Sequence, residues 1–327
     1  ARPLPLVTFG LKALQSGQWL ANRFQGRDVR GLWAGVVAHS MIPLDAPTSA
    51  AIGLVLTIAG HRSGWPIPRG GSQRIADALA AYFCSLGGII QTGWPVYSLR
   101  ELPEARAILF DVTPRQLLQI CGDRLSQLYR WQLSRHRYGM GVFKVDWALS
   151  EPVPFKAEVA RRAGTVHLGG TFEEVAAGER AVWEGRHPRQ PFVLFAQQSV
   201  FDGTRAPEGR HTGWAYCHVP HGSTEDMTEA IIAQVERFAP GFRDTIVGTH
   251  VMNSATMEIY NANYIGGDIN GGVVNIAQLF NRPALRFSPY RTSAKGIYIC
   301  SASTPPGGGV HGMAGFNAAR QALRDIF

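Results

Sequence analysis

Apolar and polar positions follow two patterns along the chain. Behind a Pro/Gly break at 65–71 (WPIPRGG), Ile75, Ala78, Leu79, Tyr82, Phe83 and Leu86 recur at helical spacing and predict an amphipathic helix. Ser72 is its expected N-cap and Gly87-Gly88 its stop. GIIQTGWPVYSL then predicts two short extended pieces broken by Gly93 and Pro95, and ARAILFDVT (105–113) a strand apolar on both faces that ends at Pro114. In the middle of the chain the pattern changes to strand-like runs separated by polar, Pro-rich or Gly-rich connections. GVFKVDWAL, TVHLGG, PFVLFAQQSVFD and HTGWAYCHVP predict strands of an antiparallel sheet rather than βαβ repeats. STEDMTEAIIAQVERFAPG predicts a helix capped by Ser223 or Thr224, with Glu225 and Asp226 in its first turn and Pro240-Gly241 at its end. Residues 1–65 read as helical, with Leu11, Leu14 and Leu20 on one face and a Gly/Ala-rich stretch after them.

The apolar run at 46–60 (APTSAAIGLVLTIAG) is shorter than the roughly 20 residues a membrane-spanning helix needs. It is expected to be a buried helix, with a peripheral membrane contact left open. A chain of 327 residues, 45% hydrophobic, is long enough for a sizeable core. Its net charge of +8 permits a polyanion, an anionic membrane or a charged cofactor as partner. The densest basic stretch, Arg124 to Arg137, is interleaved with Leu125, Leu128, Trp131 and Leu133; it reads as a solvated helix face, and no nucleic-acid partner is expected. Cys84, Cys121, Cys217 and Cys300 form no CxxC pair, so reduced thiols in a cytoplasmic protein are expected. The start ARPLPLVTFG carries no signal-peptide pattern. His218 and His221 in CHVPH lack the spacing and the intervening Glu of a zinc protease, and no metal is expected. Trp214, Tyr216 and Phe201 are candidates for an apolar pocket or for core, and Asp268 in GGDINGG for an active-site mouth or an ordinary turn.

The last thirty residues carry the most chemistry. GIYIC predicts a buried strand, STPPG a rigid turn and Met313 onward a helix. Gly307, Gly309 and Gly312 satisfy GxGxxG after a strand and before a helix, yet a dinucleotide fingerprint needs a second strand with an acidic residue about 20 positions on. Successive glycines let the backbone approach a ligand, and a helix start presents free N–H groups and a positive dipole end. An anionic or electron-rich ligand is therefore favoured. Gly312, Gly315, Ala319 and Ala322 predict a small-residue packing face.

STPPGGGVHGM followed by NAA resembles the carboxy-terminal flavin motif of phytoene-dehydrogenase-like oxidoreductases, within the amine-oxidase-like FAD flavoproteins. WPIPRGGSQRIADAL, GGIIQTGWPV, ARAILFDVTPRQLL, YGMGVFKVDWAL and NYIGGDINGG extend the resemblance in order from Trp65 to Phe327. It implies FAD as cofactor, with Val96 in a strand whose backbone meets the adenine. Gly307, Gly308, Gly309, Val310, His311, Gly312 and Met313 would lie at the isoalloxazine and ribityl chain, with Ser301 and Ala302 where many relatives have Gly-Asp or Gly-Glu. His311 would position backbone rather than transfer protons, and no catalytic residue is singled out.

The expected fold is α/β: an incomplete Rossmann-like FAD-binding domain from 66–120 and 286–327, an inserted α+β substrate domain on an antiparallel sheet at 121–285, and a helical segment at 1–65 packing on the substrate side. No strand–GxGxxG–helix unit precedes Trp65. The resemblance therefore implies a truncated enzyme for an apolar, isoprenoid-like substrate, binding FAD weakly or not at all by itself. Its alternative is a non-catalytic remnant or subunit, associating with a separate amino-terminal half or with itself.

Overall fold

The computed structural model describes residues 3–326, so the outermost residues of the expected 1–65 and 286–327 segments, at positions 1, 2 and 327, lie outside it. The seven strands are β1 (Ile108–Phe110), β2 (Gly141–Leu149), β3 (Thr165–Leu168), β4 (Val193–Ala196), β5 (His211–Val219), β6 (Ile246–Met252) and β7 (Ile297–Ile299) among the described residues. The chain folds into two compact units. One takes the chain up to Trp94 with Phe143–Val219 and Glu225–Asn253; the other takes Pro95–Val142, Pro220–Thr224 and the chain from Ser254 on. The breaks thus fall after 94 and 142 and around 220–224 and 254, not at 65, 120 and 285. A shared apolar cluster is the reason for part of this: Leu117, Cys121, Tyr129 and Leu133 pack with Phe110, Ile297 and Ile299 in the second unit.

The first unit is built on a five-stranded sheet in the order β3-β4-β5-β2-β6. Its pairings β3–β4, β4–β5 and β2–β6 are antiparallel, with Val166 opposite Phe195, Phe195 opposite Ala215 and Trp147 opposite Thr249. Period-two alternation puts Phe143, Val145, Trp147, Leu149, Phe195, Ala215 and Cys217 on one face, where Ile231, Ile232 and Val235 of the helix Thr228–Glu236 cover them. That helix starts later than expected. Met227, not Ser223 or Thr224, is its N-cap, and the Asp226 carboxylate accepts the Thr228 N–H instead. A second cluster joins Leu20, Trp33, Val37 and Ala50 of the amino-terminal helices to Phe172, Val175 and Phe192.

Several exposures differ from expectation. In the apolar helix Ser49–Ser63 only Ser49, Ala50 and Gly53 are buried; Leu54 is half-buried against the second cluster, and Val55 and Ile58 are exposed. The amphipathic helix Gln73–Ser85 forms as the pattern predicts, yet none of its residues is buried, and Ser72 makes no side-chain cap. Leu20 is buried whereas Leu11 is exposed, so the three leucines do not share one packed face. Among the described residues no helix is long and apolar enough to cross a membrane.

The second unit holds a short parallel sheet, β1 beside β7, with Phe110 opposite Ile299. Strand geometry covers only Ile108–Phe110 of the predicted 105–113 run, and the 88–98 segment forms no strand at all. The carboxy-terminal helix Met313–Ile326 buries Ala314, Ala318 and Ala322. Its small-residue stripe therefore follows these positions, four apart, rather than Gly312, Gly315 and Ala319.

Candidate functional site

Parallel strands present ligands beyond their carboxyl ends. In the second unit those ends are Asp111 after β1 and Cys300 after β7. Burial raises the Asp111 carboxyl, while burial and nearby Asp111 push the Cys300 thiol up to about 12, so Cys300 is not a thiolate nucleophile at neutral pH. Asn263 ties the β1 exit down, donating to the Asp111 carbonyl at 3.3 Å and accepting the Thr113 N–H at 3.0 Å.

The chain leaves β7 through a buried turn. Ser301 Oγ accepts the Ser303 N–H at 3.2 Å, Thr304 Oγ1 donates to the Ser301 carbonyl at 2.7 Å, and Ser303 Oγ donates to the Gly271 carbonyl at 2.6 Å. Then the backbone emerges. Gly308 to Met313 are exposed, and Gly307 and Gly309 adopt φ values of 107° and 146°, which residues with a Cβ rarely reach. The Met313 N–H donates to His311 Nδ1 at 3.1 Å, so His311 caps the helix start and carries its neutral-form proton on Nε2. One of the helix's free amides is thereby taken, while those of Ala314 and Gly315 stay without intrahelical acceptors. Ser301, Ala302 and Gly307 to Met313 are thus brought into one continuous turn. Val96 is half-buried and lies outside any strand, so the strand role expected for it is not met.

Behind this turn stands a support that sequence reasoning missed. Asp268 is 1% exposed and accepts the N–H groups of Gly139, Asn270 and Gly272 at 2.7, 2.7 and 3.0 Å. Its bond to the Asn270 N–H two residues on is the Asx-type turn that the sequence offered as one alternative, here buried. Burial raises its carboxyl, against the lowering effect of those N–H groups and of Arg282. Arg282 donates to the Asn270 and Gly272 carbonyls at 2.8 and 3.1 Å. Residues 270–271 in turn touch the emerging loop: a Cβ on Gly308 would stand 3.4 Å from Asn270, and one on Gly271 3.1 Å from Ala302.

The other candidates have structural partners. His218 Nδ1 lies 2.7 Å from Glu179 in the first unit, and His221 Nδ1 lies 2.8 Å from the Gly139 carbonyl in the second. Among the described residues no cluster suits a metal ion. Trp214 and Tyr216 stack on the sheet face opposite the main core, with ring centroids 6.2 Å apart, whereas Phe201 is exposed.

Comparison with known proteins gives this turn a context. Pyridine nucleotide-disulfide oxidoreductase domain-containing protein 2 of Rattus norvegicus is 31% identical over 330 residues, 86% of this chain and 56% of that protein. The solved structure of an oxidoreductase from Methanosarcina mazei matches with a TM-score of 0.62 at 14% identity, over 95% of this chain and 67% of its own. Both are oxidoreductases by name, and the likeness to the solved structure, at 14% identity, is one of fold. Putrescine oxidase bound to putrescine shares the fold at a TM-score of 0.57 and 15% identity, covering 96% of this chain and 68% of its own. The phytoene-dehydrogenase likeness is more distant: phytoene desaturase (lycopene-forming) of Paracoccus is 22% identical over 85% of this chain and 58% of its length. No family model matches. The chain spans little more than half the length of these curated relatives.

The turn leaves open space beside its backbone. Gly312 has nothing within 4 Å of where a Cβ would stand, and at Gly309 only the movable His311 ring is that close. A ligand approaching these two glycines would meet backbone there rather than side chains.

Proposed function

We propose that the second unit binds FAD at the turn from Gly307 to Met313 and that the protein is an FAD-dependent oxidoreductase acting on an apolar substrate. The observation that carries this is the glycine turn beyond the carboxyl ends of β1 and β7, exposed from Gly308 on and leading straight into the helix Met313–Ile326. The flavin supplies hydride acceptance. The protein's share is positional and electrostatic. Glycine backbone would permit close approach of a ring, Ser301 to Thr304 hold the turn from behind, and the helix start would stabilise negative charge gathered on a ligand there. An apolar substrate is supported by a cleft of about 790 Å³ within the first unit, lined by Leu32, Phe155, Val166, Leu168, Phe192 and Phe238 among others.

A second reading has its own observation. The helix Gln73–Ser85 leaves Ile75, Leu79, Tyr82 and Phe83 exposed, which favours a protein that associates with a separate amino-terminal half.

A flavin titration of the purified chain, alone and with an added strand–helix–strand segment, tests both readings. Saturable uptake of one flavin per chain is expected with the segment present, and Gly309→Val should weaken it about 100-fold, because a branched side chain is strained there and obstructs the ring. Full-strength binding without the segment would remove the case for a missing half. No binding in either arm would leave the associating, non-catalytic protein as the better reading.

A further inference from the structure

We propose that Arg282, balanced by Asp268, sets the reduction potential of the flavin held at the Gly307–Met313 turn. This rests on the flavin reading above and adds a function for two residues outside the motif. Arg282 is 6% exposed, and its Nε is buried with no hydrogen-bond partner. Its Nη2 is spent on the Asn270 and Gly272 carbonyls, while a Cβ on Gly307 would stand 4.0 Å from its Nη1. A buried cation therefore abuts Gly307, itself buried and one residue before the exposed stretch Gly308 to Met313.

Asp268 is its counter-charge, held by N–H groups of the same loop whose carbonyls Arg282 binds. A Cβ on Gly139 would stand 3.6 Å from Asp268 Oδ2, and both carboxylate oxygens are occupied by main-chain N–H groups. Among the described residues no ion pair joins Asp268 to Arg282 directly. The two charges share residues 268–272, and of the two it is Arg282 that reaches Gly307. Charges kept out of water act at longer range than exposed ones. Two-electron reduction with uptake of one proton leaves the flavin ring one negative charge richer. A cation behind Gly307 stabilises that reduced form and raises the potential, and the Asp268 carboxylate limits the rise. Neither residue is catalytic; both act through the loop.

The test is the midpoint potential of flavin-loaded protein, read spectroscopically against reference dyes, for wild type, Arg282→Gln, Arg282→Lys and Asp268→Asn. Arg282→Gln should shift the equilibrium at least tenfold towards oxidised flavin, about 30 mV lower for a two-electron couple. Arg282→Lys should stay near wild type, and Asp268→Asn should shift in the opposite direction from Arg282→Gln. General loosening of the loop moves both variants the same way, so shifts of one sign overturn the assignment. So does weakened binding at an unchanged potential, which puts the cation beside phosphate instead. If Asp268→Asn does not fold, the Gln/Lys contrast at position 282 decides alone. A wild-type protein that takes up no flavin under either titration condition overturns the flavin reading and the assignment with it; flavin uptake with unmoved potentials overturns the assignment only.

Discussion

Phe195→Ala should destabilise the first unit by about 3–5 kcal/mol, the range for emptying a fully buried aromatic site. Phe195 sits on β4 with none of its surface exposed, at the centre of an aromatic cluster. Trp147 stacks on it at 5.7 Å between centroids, and Phe155 and Phe242 meet it edge-on at 5.9 and 5.6 Å. These rings come from separate strands and loops, so no single neighbour can move in to fill the space. A Cβ on Gly213 would lie 2.9 Å from the Phe195 ring, a sign of how closely β5 is drawn against it. Phe195→Leu, which keeps most of the volume, should lose much less. Urea denaturation followed by tryptophan fluorescence measures both, since Trp147 reports on the same cluster. A loss below about 1 kcal/mol for the alanine variant would mean that the cluster is loosely packed and that the core lies elsewhere.

The same cluster explains which parts of the fold were legible beforehand. β2 announces itself because one face is buried, with Phe143, Val145, Trp147 and Leu149 alternating with Lys144, Asp146 and Ala148, whereas β4 shows as a short apolar run buried at every position. β6 leaves no such trace. It is an edge strand, exposed along most of its length, and its residues Gly248, Thr249 and His250 face no packing constraint that would impose a pattern. The helix Gln73–Ser85 shows the converse, since its apolar period is plain but the described residues supply nothing to bury it. Periodicity reports that a face is apolar, not what covers it.

In the candidate site the glycine turn was readable because backbone conformation dictates residue type there. Its support was not. Asp268 and Arg282 bond main-chain groups, and the Gly139 amide that Asp268 accepts lies 129 positions away. Main-chain partners leave no complementary residue to find, and a contact at that separation has no local period. The only available signal was an acid inside a run of glycines, which equally describes a surface turn. Asn263, reaching back about as far to Asp111 and Thr113, was invisible for the same reason.

Acidification should weaken the first unit well before its carboxylates titrate. His39 and His167 face each other there with 2.9 Å between their Nε2 atoms, so one neutral ring donates to the other. Burial, reinforced by His167 and His218, pushes His39 down to about 3, and burial alone pushes His167 down to about 4. Both lie far below the ordinary value of 6.5. The sign follows from proton counting. Below pH 6.5 the unfolded chain protonates these rings while the folded unit keeps them neutral, so the unfolded state binds more protons and stability falls with pH. Above pH 6.5 neither state is protonated and the contribution is flat. At pH 5 each ring should cost about 2 kcal/mol, roughly 4 for the pair, at 1.4 kcal/mol per pH unit per group. The loss should keep growing towards pH 4, where His167 begins to accept its proton in the folded state. In the second unit His136 is held down to about 4 by burial, against the pull of its bond to the Gly271 carbonyl, and should add a smaller dependence of the same sign. Urea denaturation at pH 7.5, 6.5, 5.5 and 5.0 measures the slope. His167→Gln, neutral at every pH, should remove about half of the first unit's slope. A wild-type stability that is level from pH 7.5 to 5.0 would show that the pair is hydrated or already protonated in the folded protein.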